Sequence, residues 1–360
     1  MTTWSPSGSP AGAAPNIAQP FGMGNINGTP GLGLTQGGSD YNSKYATYLK
    51  AFSGEMFKAY QTALIAKGTI QSRVLKNARS SQFIFTGRMS AEYHQPGEPI
   101  LGNEAMPVAE KLIIMDDLLV SSSFVYDLDE TLSHYSLRSE IAKKIGYALA
   151  EAYDKKVFRT IAKSAREAHP IEAKTAGTNQ KAQVAEPGGS IIKIGGGNEY
   201  SAQHLVDAFF EAASILDEKN MPQAGRTAVL SPRQYYALVS QVDTNILNRD
   251  FGASQGNLNS GEGLYEIAGI TIRRSNNLPF QAGSVSRVDG ENNDYSGDFS
   301  DHAGLIYYKD AAATVTAIGP QIQTTGSDVK ALYQGDLIIG RLAMGCGTLN
   351  PAAAIEIQSA

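Results

Sequence analysis

Five histidines, His94, His134, His169, His204 and His302, are the side chains best suited to acid–base or metal chemistry near neutral pH. No two of them stand at the HExxH spacing or a similar ligand interval. Each is therefore read as a surface or capping residue. Cys346 lies between Gly345 and Gly347 with no histidine nearby in sequence to activate it, and no GxSxG elbow is present. As the single cysteine, it excludes a disulfide framework or a cysteine-based zinc site within one chain. Gly195, Gly196 and Gly197 follow an apolar run, but no GK[ST] comes after them, and GxGxxG is not satisfied there or at Gly31 and Gly33. A flexible turn is expected. Two acidic groups, Asp127, Asp129 and Glu130, then Asp289, Glu291, Asp294, Asp298 and Asp301, hold enough carboxylates for a cation. Neither follows the EF-hand order, so both are read as solvated loops. Ser327 and Lys330 form SxxK without its partner motifs. No catalytic, cofactor-binding or metal residue is assigned, no cofactor is expected, and the chain is not read as an enzyme.

The elements that carry these residues are dominated by one long helix, expected over residues 136–168. Leu137, Ile141, Ile145, Ala148, Leu149, Ala152, Val157, Ile161 and Ala165 recur at intervals that place an apolar stripe on one face. The other face is charged, and Glu140 with Lys144, Glu151 with Lys155 and Lys163 with Glu167 stand four apart, as helical ion pairs require. Ser136 caps the start, and His169 and Pro170 stop the helix. Its length of about 48 Å exceeds what a compact domain needs to cross its own core. A four-heptad coiled coil is disfavoured by the irregular spacing and by Gly146 in the middle.

Before this helix, residues 41–67 carry Tyr45, Tyr48, Leu49, Phe52, Met56, Phe57, Tyr60 and Leu64 at helical spacing, ended by Gly68. Residues 69–115 are a long excursion with short strand-like pieces and many Gly and Pro; a connection of that length within a compact chain points to function. Its charges are segregated, Arg73, Lys76, Arg79 and Arg88 first, then Glu92, Glu98, Glu104 and Glu110. Such an order gives either a solvated hairpin or a two-signed surface made to meet its own copies. Residues 118–127 read as a strand. After Pro170 a polar, Gly-rich bridge leads to a more regular region: a helix from Ser201 with Leu205, Phe209, Ala212 and Leu216 on one face, a strand at 227–230, and a short helix capped by Ser231 and opened by Pro232. A loop at 243–263, strands at 265–274, 304–309 and 311–318, and β-like edges to residue 358 complete the chain. No internal repeat is evident.

The chain has 360 residues, 42% of them hydrophobic and only 18% charged. The deficit is local, because residues 1–39 contain no Lys, Arg, Asp or Glu. Rich in Gly, Pro, Ser, Thr, Asn and Gln, that segment reads as an arm and not as a domain. A net charge of -5 argues against gripping nucleic acid through a basic surface. With no basic-then-apolar leader and no run near 18 apolar residues, a soluble intracellular product without membrane contact is expected.

Three segments carry a family resemblance: SSQFIFTGRMSAEYHQPGEPI (80–100), DDLLVSSSFVYDLDETLSHYSLRSE (116–140) and YQGDLIIGRLAMGCGTLNPAAA (333–354), with IAGITIRRSNNLP (267–279) as a weaker fourth. In these the chain resembles the major capsid proteins of T-seven-type podoviruses, the autographivirus family. The resemblance implies an α+β chain of the Hong Kong 97-type capsid fold. It implies an N-terminal arm and helix at 1–67, an extended β loop at 68–116, and a peripheral domain at 117–199 with the long helix as its spine. An axial domain at 200–319 and a C-terminal part of the peripheral domain at 320–360 would follow. It further implies self-assembly as hexamers and pentamers into an icosahedral shell around double-stranded DNA. Implied partners are other copies of the chain, a scaffolding protein, a portal protein at one vertex, and DNA by proximity only. The implied location is the virion capsid, with the host cytoplasm during assembly. The alternative is an encapsulin-like compartment shell. Within this reading, Arg73, Lys76, Arg79, Arg88, Glu92, Glu98 and Glu104 are the expected inter-subunit residues.

Overall fold

A computed structural model of the chain describes residues 56–60, 64–87, 93–97, 108–128, 137–171, 186–241, 266–324 and 333–359. In chain order its elements are β1 (Gln71–Val74), β2 (Ser80–Thr86), β3 (Val108–Ile114), β4 (Leu119–Tyr126), α1 (Leu137–Arg166), β5 (Ser190–Lys193), α2 (Ala202–Glu218), β6 (Thr227–Leu230) and α3 (Pro232–Gln241). There follow β7 (Glu266–Ile267), β8 (Ile270–Arg274), β9 (Ser284–Val285), β10 (Gly297–Asp298), β11 (His302–Tyr307), β12 (Ala312–Thr324), β13 (Gly335–Thr348) and β14 (Ala354–Gln358). Two compact units are built from interleaved segments, one from 1–62, 120–147 and 320–341, the other from 63–119, 148–319 and 342–360.

The larger unit is organised on a six-stranded sheet in the order β5-β14-β11-β6-β8-β7. Its central strands β6 (TAVL) and β11 (HAGLIY) are buried at every residue, as expected where both faces of a sheet are covered. The apolar stripe of α2, Leu205, Phe209, Ala212 and Leu216, packs with Leu238 of α3 onto Ile272, Ile306 and Ile355. Each such large side chain contributes about 1.5–3 kcal/mol by leaving water. α3 begins with a reciprocal cap: the Ser231 N–H donates to Gln234 Oε1 at 3.0 Å and the Gln234 N–H to Ser231 Oγ. Ser201, in contrast, makes no side-chain cap bond to a backbone N–H of α2; its hydroxyl lies 2.9 Å from His204 Nδ1. The strand expected at 265–274 is a hairpin of β7 and β8, with Ala268 and Gly269 both at positive φ in its two-residue turn.

β2 and β3 form an antiparallel hairpin in register from Ser80↔Ile114 to Thr86↔Val108. Alternation sorts its faces: Phe83 and Ile113 pack on Ala313, Val315, Ala343 and Leu349, while Ile84, Val108 and Leu112 stay exposed. β1 runs parallel to the first part of β12. The helix expected over 41–67 lies mainly outside the described residues. Residues 56–60 are helical, but 64–70 are a turn, not the continued helix. The cause is Asp154, whose carboxylate accepts the Ile65 and Ala66 N–H groups at 3.0 and 3.2 Å and so captures donors that a helix would use.

In the smaller unit Gly146 lets the start of α1 approach residues 56–60 closely: a Cβ there would lie 2.6 Å from the Met56 carbonyl oxygen. The Asp127 N–H donates to the Gln334 carbonyl at 3.0 Å, and Arg138 pairs with Asp336 at 2.8 Å. No described helix is long and apolar enough to cross a membrane.

Candidate assembly surfaces and the long-helix clamp

Of the seven expected inter-subunit residues, Arg73 sits on β1 and the exposed Lys76 and Arg79 in the turn after it; Arg88, Glu92, Glu98 and Glu104 lie outside the described residues. Arg73 is engaged at home. Its Nη1 donates to Ser81 Oγ and the Gln82 carbonyl at 2.9 and 3.0 Å, and its guanidinium stacks 4.2 Å from the Phe83 ring centroid. Lys76 and Arg79 are thus left as its exposed basic neighbours. The outward hairpin face adds an apolar patch, with Ile84 69% and Val108 57% exposed.

The side chains with the most organised chemistry sit on the second half of α1. Lys156 Nζ is 3.2 Å from Asp116 Oδ2 and 3.5 Å from Glu291 Oε1, and all three are buried or nearly so. Asp116 is a hub: its carboxylate also accepts the Asn292 and Asn293 N–H groups, the Asn293 amide and the Tyr295 hydroxyl at 2.7 Å. Burial, with the nearby Cys346 and Asp116, pushes the Tyr295 phenol far above its ordinary range, so it stays a donor. Two turns along, Lys163 pairs with Asp294, whose carboxyl is held well below the usual range by that amine and by Ser296. Arg166 grips Glu356 through Nε and Nη2 at 2.5 Å each, the bidentate fork of a strong ion pair. Burial alone would raise the Glu356 pKa, but Arg166 and His302 outweigh it and hold the carboxyl below its ordinary value. His302 Nδ1 lies 2.6 Å from Glu356 Oε1; a carboxylate only accepts, so Nδ1 carries the hydrogen. Burial drives the Cys346 thiol up to about 12, which leaves almost no thiolate at neutral pH.

Four expectations are corrected here. Of the acidic residues after 284, Asp289, Asp294, Asp298 and Asp301 are exposed as a solvated loop requires, but Glu291 is buried and Asp294, though exposed, is paired with Lys163 of α1. His302 is neither a surface nor a capping residue but fully buried, with Nδ1 against the Glu356 carboxylate. Lys163 and Glu167 do not pair, because α1 ends at Arg166 and Glu167 falls beyond its last turn; Glu167 instead meets Lys111 at 2.5 Å. On the outer face Glu151 pairs with Lys155 as expected, whereas Glu140 takes Lys143 in place of Lys144. His169 behaves as a cap, accepting the Ile171 N–H. A cavity of about 550 Å³ opens beside Lys111, Lys163 and Arg166, and all three cations lining it already have carboxylate partners.

A family model described as Gp10A-like major capsid protein matches residues 83–358. The chain is 25% identical over 354 residues to the major capsid protein of Enterobacteria phage T3, covering 92% of this chain and 97% of that protein. It is 25% identical over 346 residues to the major capsid protein of Escherichia phage T7, covering 92% and 98%. Among solved structures, the capsid of Cyanophage P-SCSP1u is similar with a TM-score of 0.69 and 36% identity over 82% of this chain and 88% of that one. The mature capsid of bacteriophage PhiM1 shares the fold at 16% identity, with a TM-score of 0.63 and coverage of 82% and 87%.

Proposed function

Since the chain belongs to the Gp10A-like major capsid protein family, we propose a division of labour by which its copies close a shell. The chain is a phage major capsid protein of the Hong Kong 97-type α+β fold, a structural component of the virion capsid and not an enzyme. Its copies assemble with one another into an icosahedral capsid. The finer reading is that they do so as hexamers and pentamers, in which a patch on each subunit meets a different patch on the next. Segment 1–67 serves as arm and helix and 68–116 as the loop laid across a neighbour. Segments 117–199 and 320–360 form the peripheral domain, and 200–319 the axial domain around the capsomer centre. A scaffolding protein guides assembly in the host cytoplasm, a portal protein occupies one vertex, and packaged DNA touches the wall by proximity only.

The observation that carries the loop's role is the exposed apolar face of the β2–β3 hairpin beside Lys76 and Arg79, a surface this chain leaves uncovered among its described residues. Expression with and without a scaffolding partner, followed by negative-stain microscopy, tests the reading. Wild-type chain is expected to give closed, icosahedral particles. Replacing Arg73, Lys76, Arg79 and Arg88 with Ala is expected to leave soluble subunits that fail to close. Normal particles from that variant would remove the loop from the assembly contact.

A further inference from the structure

The helices α2 and α3 lie together on one face of the six-stranded sheet and present two outward surfaces that stay exposed among the described residues. The first is acidic. Asp207 and Glu211 stand four apart on the exposed side of α2, flanking Phe210, which is 56% exposed. Like charges at that spacing destabilise a helix on their own. Among the described residues no cation forms an ion pair with either one, and the Asp207 carboxylate accepts only from the Gln203 amide four residues back. The second surface is basic. The Arg233 guanidinium lies 3.9 Å over the Tyr200 ring, and Arg274 stacks beside Tyr235 and Tyr236 while donating to the Tyr236 hydroxyl at 2.8 Å. Tyr236 is 51% exposed, and neither arginine has a carboxylate partner among the described residues.

Stacking on tyrosine restrains each guanidinium without neutralising its charge, and both arginines remain exposed. Exposed Arg and aromatic side chains together are the composition of an interface centre, and the acidic surface around Phe210 is its complement in charge and in apolar character. We propose that the two surfaces meet between adjacent copies of this chain, the Arg233/Tyr236/Arg274 surface of one on the Asp207/Phe210/Glu211 surface of the next. This contact rests on the assembly reading above and assigns it a specific pair of surfaces. A head-to-tail pairing of unlike surfaces is what a ring of identical subunits requires, and a second copy is the occupant that supplies both signs at once.

Charge exchange tests it on the full-length chain. Either D207R/E211R or R233E/R274E alone is expected to lower the yield of assembled particles at least about tenfold, by placing like charges in contact. The chain carrying all four substitutions is expected to return to within about threefold of wild type, because the complementarity is restored with the signs exchanged. Circular dichroism spectra of the unassembled subunits should be unchanged, and any small shift in urea midpoint from the lost Arg–Tyr contacts should persist in the fourfold variant while its yield recovers. Should a reversal misfold, the neutral pair D207N/E211Q takes its place and is expected to reduce yield by a smaller factor. Wild-type yield from both single-surface variants, or no recovery in the fourfold variant when both single-surface variants fail, overturns the contact and leaves the family reading standing. A wild-type chain that stays monomeric at every concentration defeats both.

Discussion

Replacing Lys156 with Met removes the one cation that, among the described residues, pairs with the two buried carboxylates Asp116 and Glu291, and keeps most of the side chain's apolar volume. The Asp116 side chain is 1% and that of Glu291 9% exposed, so neither can recover its hydration by a small movement. Deleting one partner of a buried ion pair costs about 3–5 kcal/mol, because the remaining charge stays out of water. Asp116 keeps its donors from Asn292, Asn293 and Tyr295, which places the loss near the lower end, at about 3 kcal/mol. Urea unfolding of dilute, unassembled full-length subunits, followed by circular dichroism, should show this as a midpoint lowered by roughly 1 M. Adding Asp116→Asn in the K156M background removes one orphaned charge and is expected to restore about 1–2 kcal/mol, a coupling that a double-mutant cycle isolates. If K156M alone unfolds within about 0.5 kcal/mol of wild type, the carboxylates are effectively solvated and the clamp is not a buried one.

Gly146→Ala gives a second test by its sign. At an exposed site in a helix interior the change would stabilise by about 1 kcal/mol, but here the new Cβ meets the Met56 carbonyl at 2.6 Å, so a lower urea midpoint is expected and a higher one would contradict the close approach. Asp154 gives a pH signature. Burial outweighs the bonds from Ile65, Ala66 and Asn277 and raises its pKa to about 6. A folded value above the unfolded one contributes stability that is full below about pH 4 and lost as pH rises through about 6, a swing of about 3 kcal/mol. Comparing wild type with Asp154→Asn from pH 7 to pH 5 should therefore show a relative gain on acidification for wild type alone; parallel curves would refute it.

The sequence made some of this legible and hid the rest for identifiable reasons. The long helix was readable because a three-and-four spacing over thirty residues has no competing interpretation, and its ends fell within two residues of those expected. The faces of α2 and the bounds of β6 followed in the same way. The clamp was not readable, because local spacing ranks only local partners: Lys163 has Glu167 four residues away, while its actual partner Asp294 is 131 residues distant. Glu356 illustrates the limit further. In the strand AIEIQ a carboxylate between two isoleucines predicts an outward-facing residue, yet β14 lies between β5 and β11 in the sheet, where its side chain is fully buried. The one available signal was the count of cations on the inward side of α1, Lys156, Lys163 and Arg166, which a purely solvated helix face would not place there.

The distribution of satisfied and unsatisfied charge separates two kinds of work within one chain. On the second half of α1 each of those three cations has a carboxylate partner, which fixes the segment from Glu291 to Asp298 and the end of β14 to the helix. On α2, α3, β8 and the turn after β1, charges of both signs stand on exposed surfaces without ion-pair partners among the described residues. A folded subunit gains only the stacking and single hydrogen bonds those charges make, whereas an assembly that juxtaposes opposite signs gains at every contact, and a shell repeats each contact many times. Subunit stability and shell closure should therefore respond to different residues. Variants at Lys156, Gly146 and Asp154 ought to move the urea midpoint, and variants at Asp207, Glu211, Arg233 and Arg274 ought to move particle yield far more than midpoint. A set of variants in which the two quantities rise and fall together would mean that the surface charges stabilise the subunit itself, and the separation would fail.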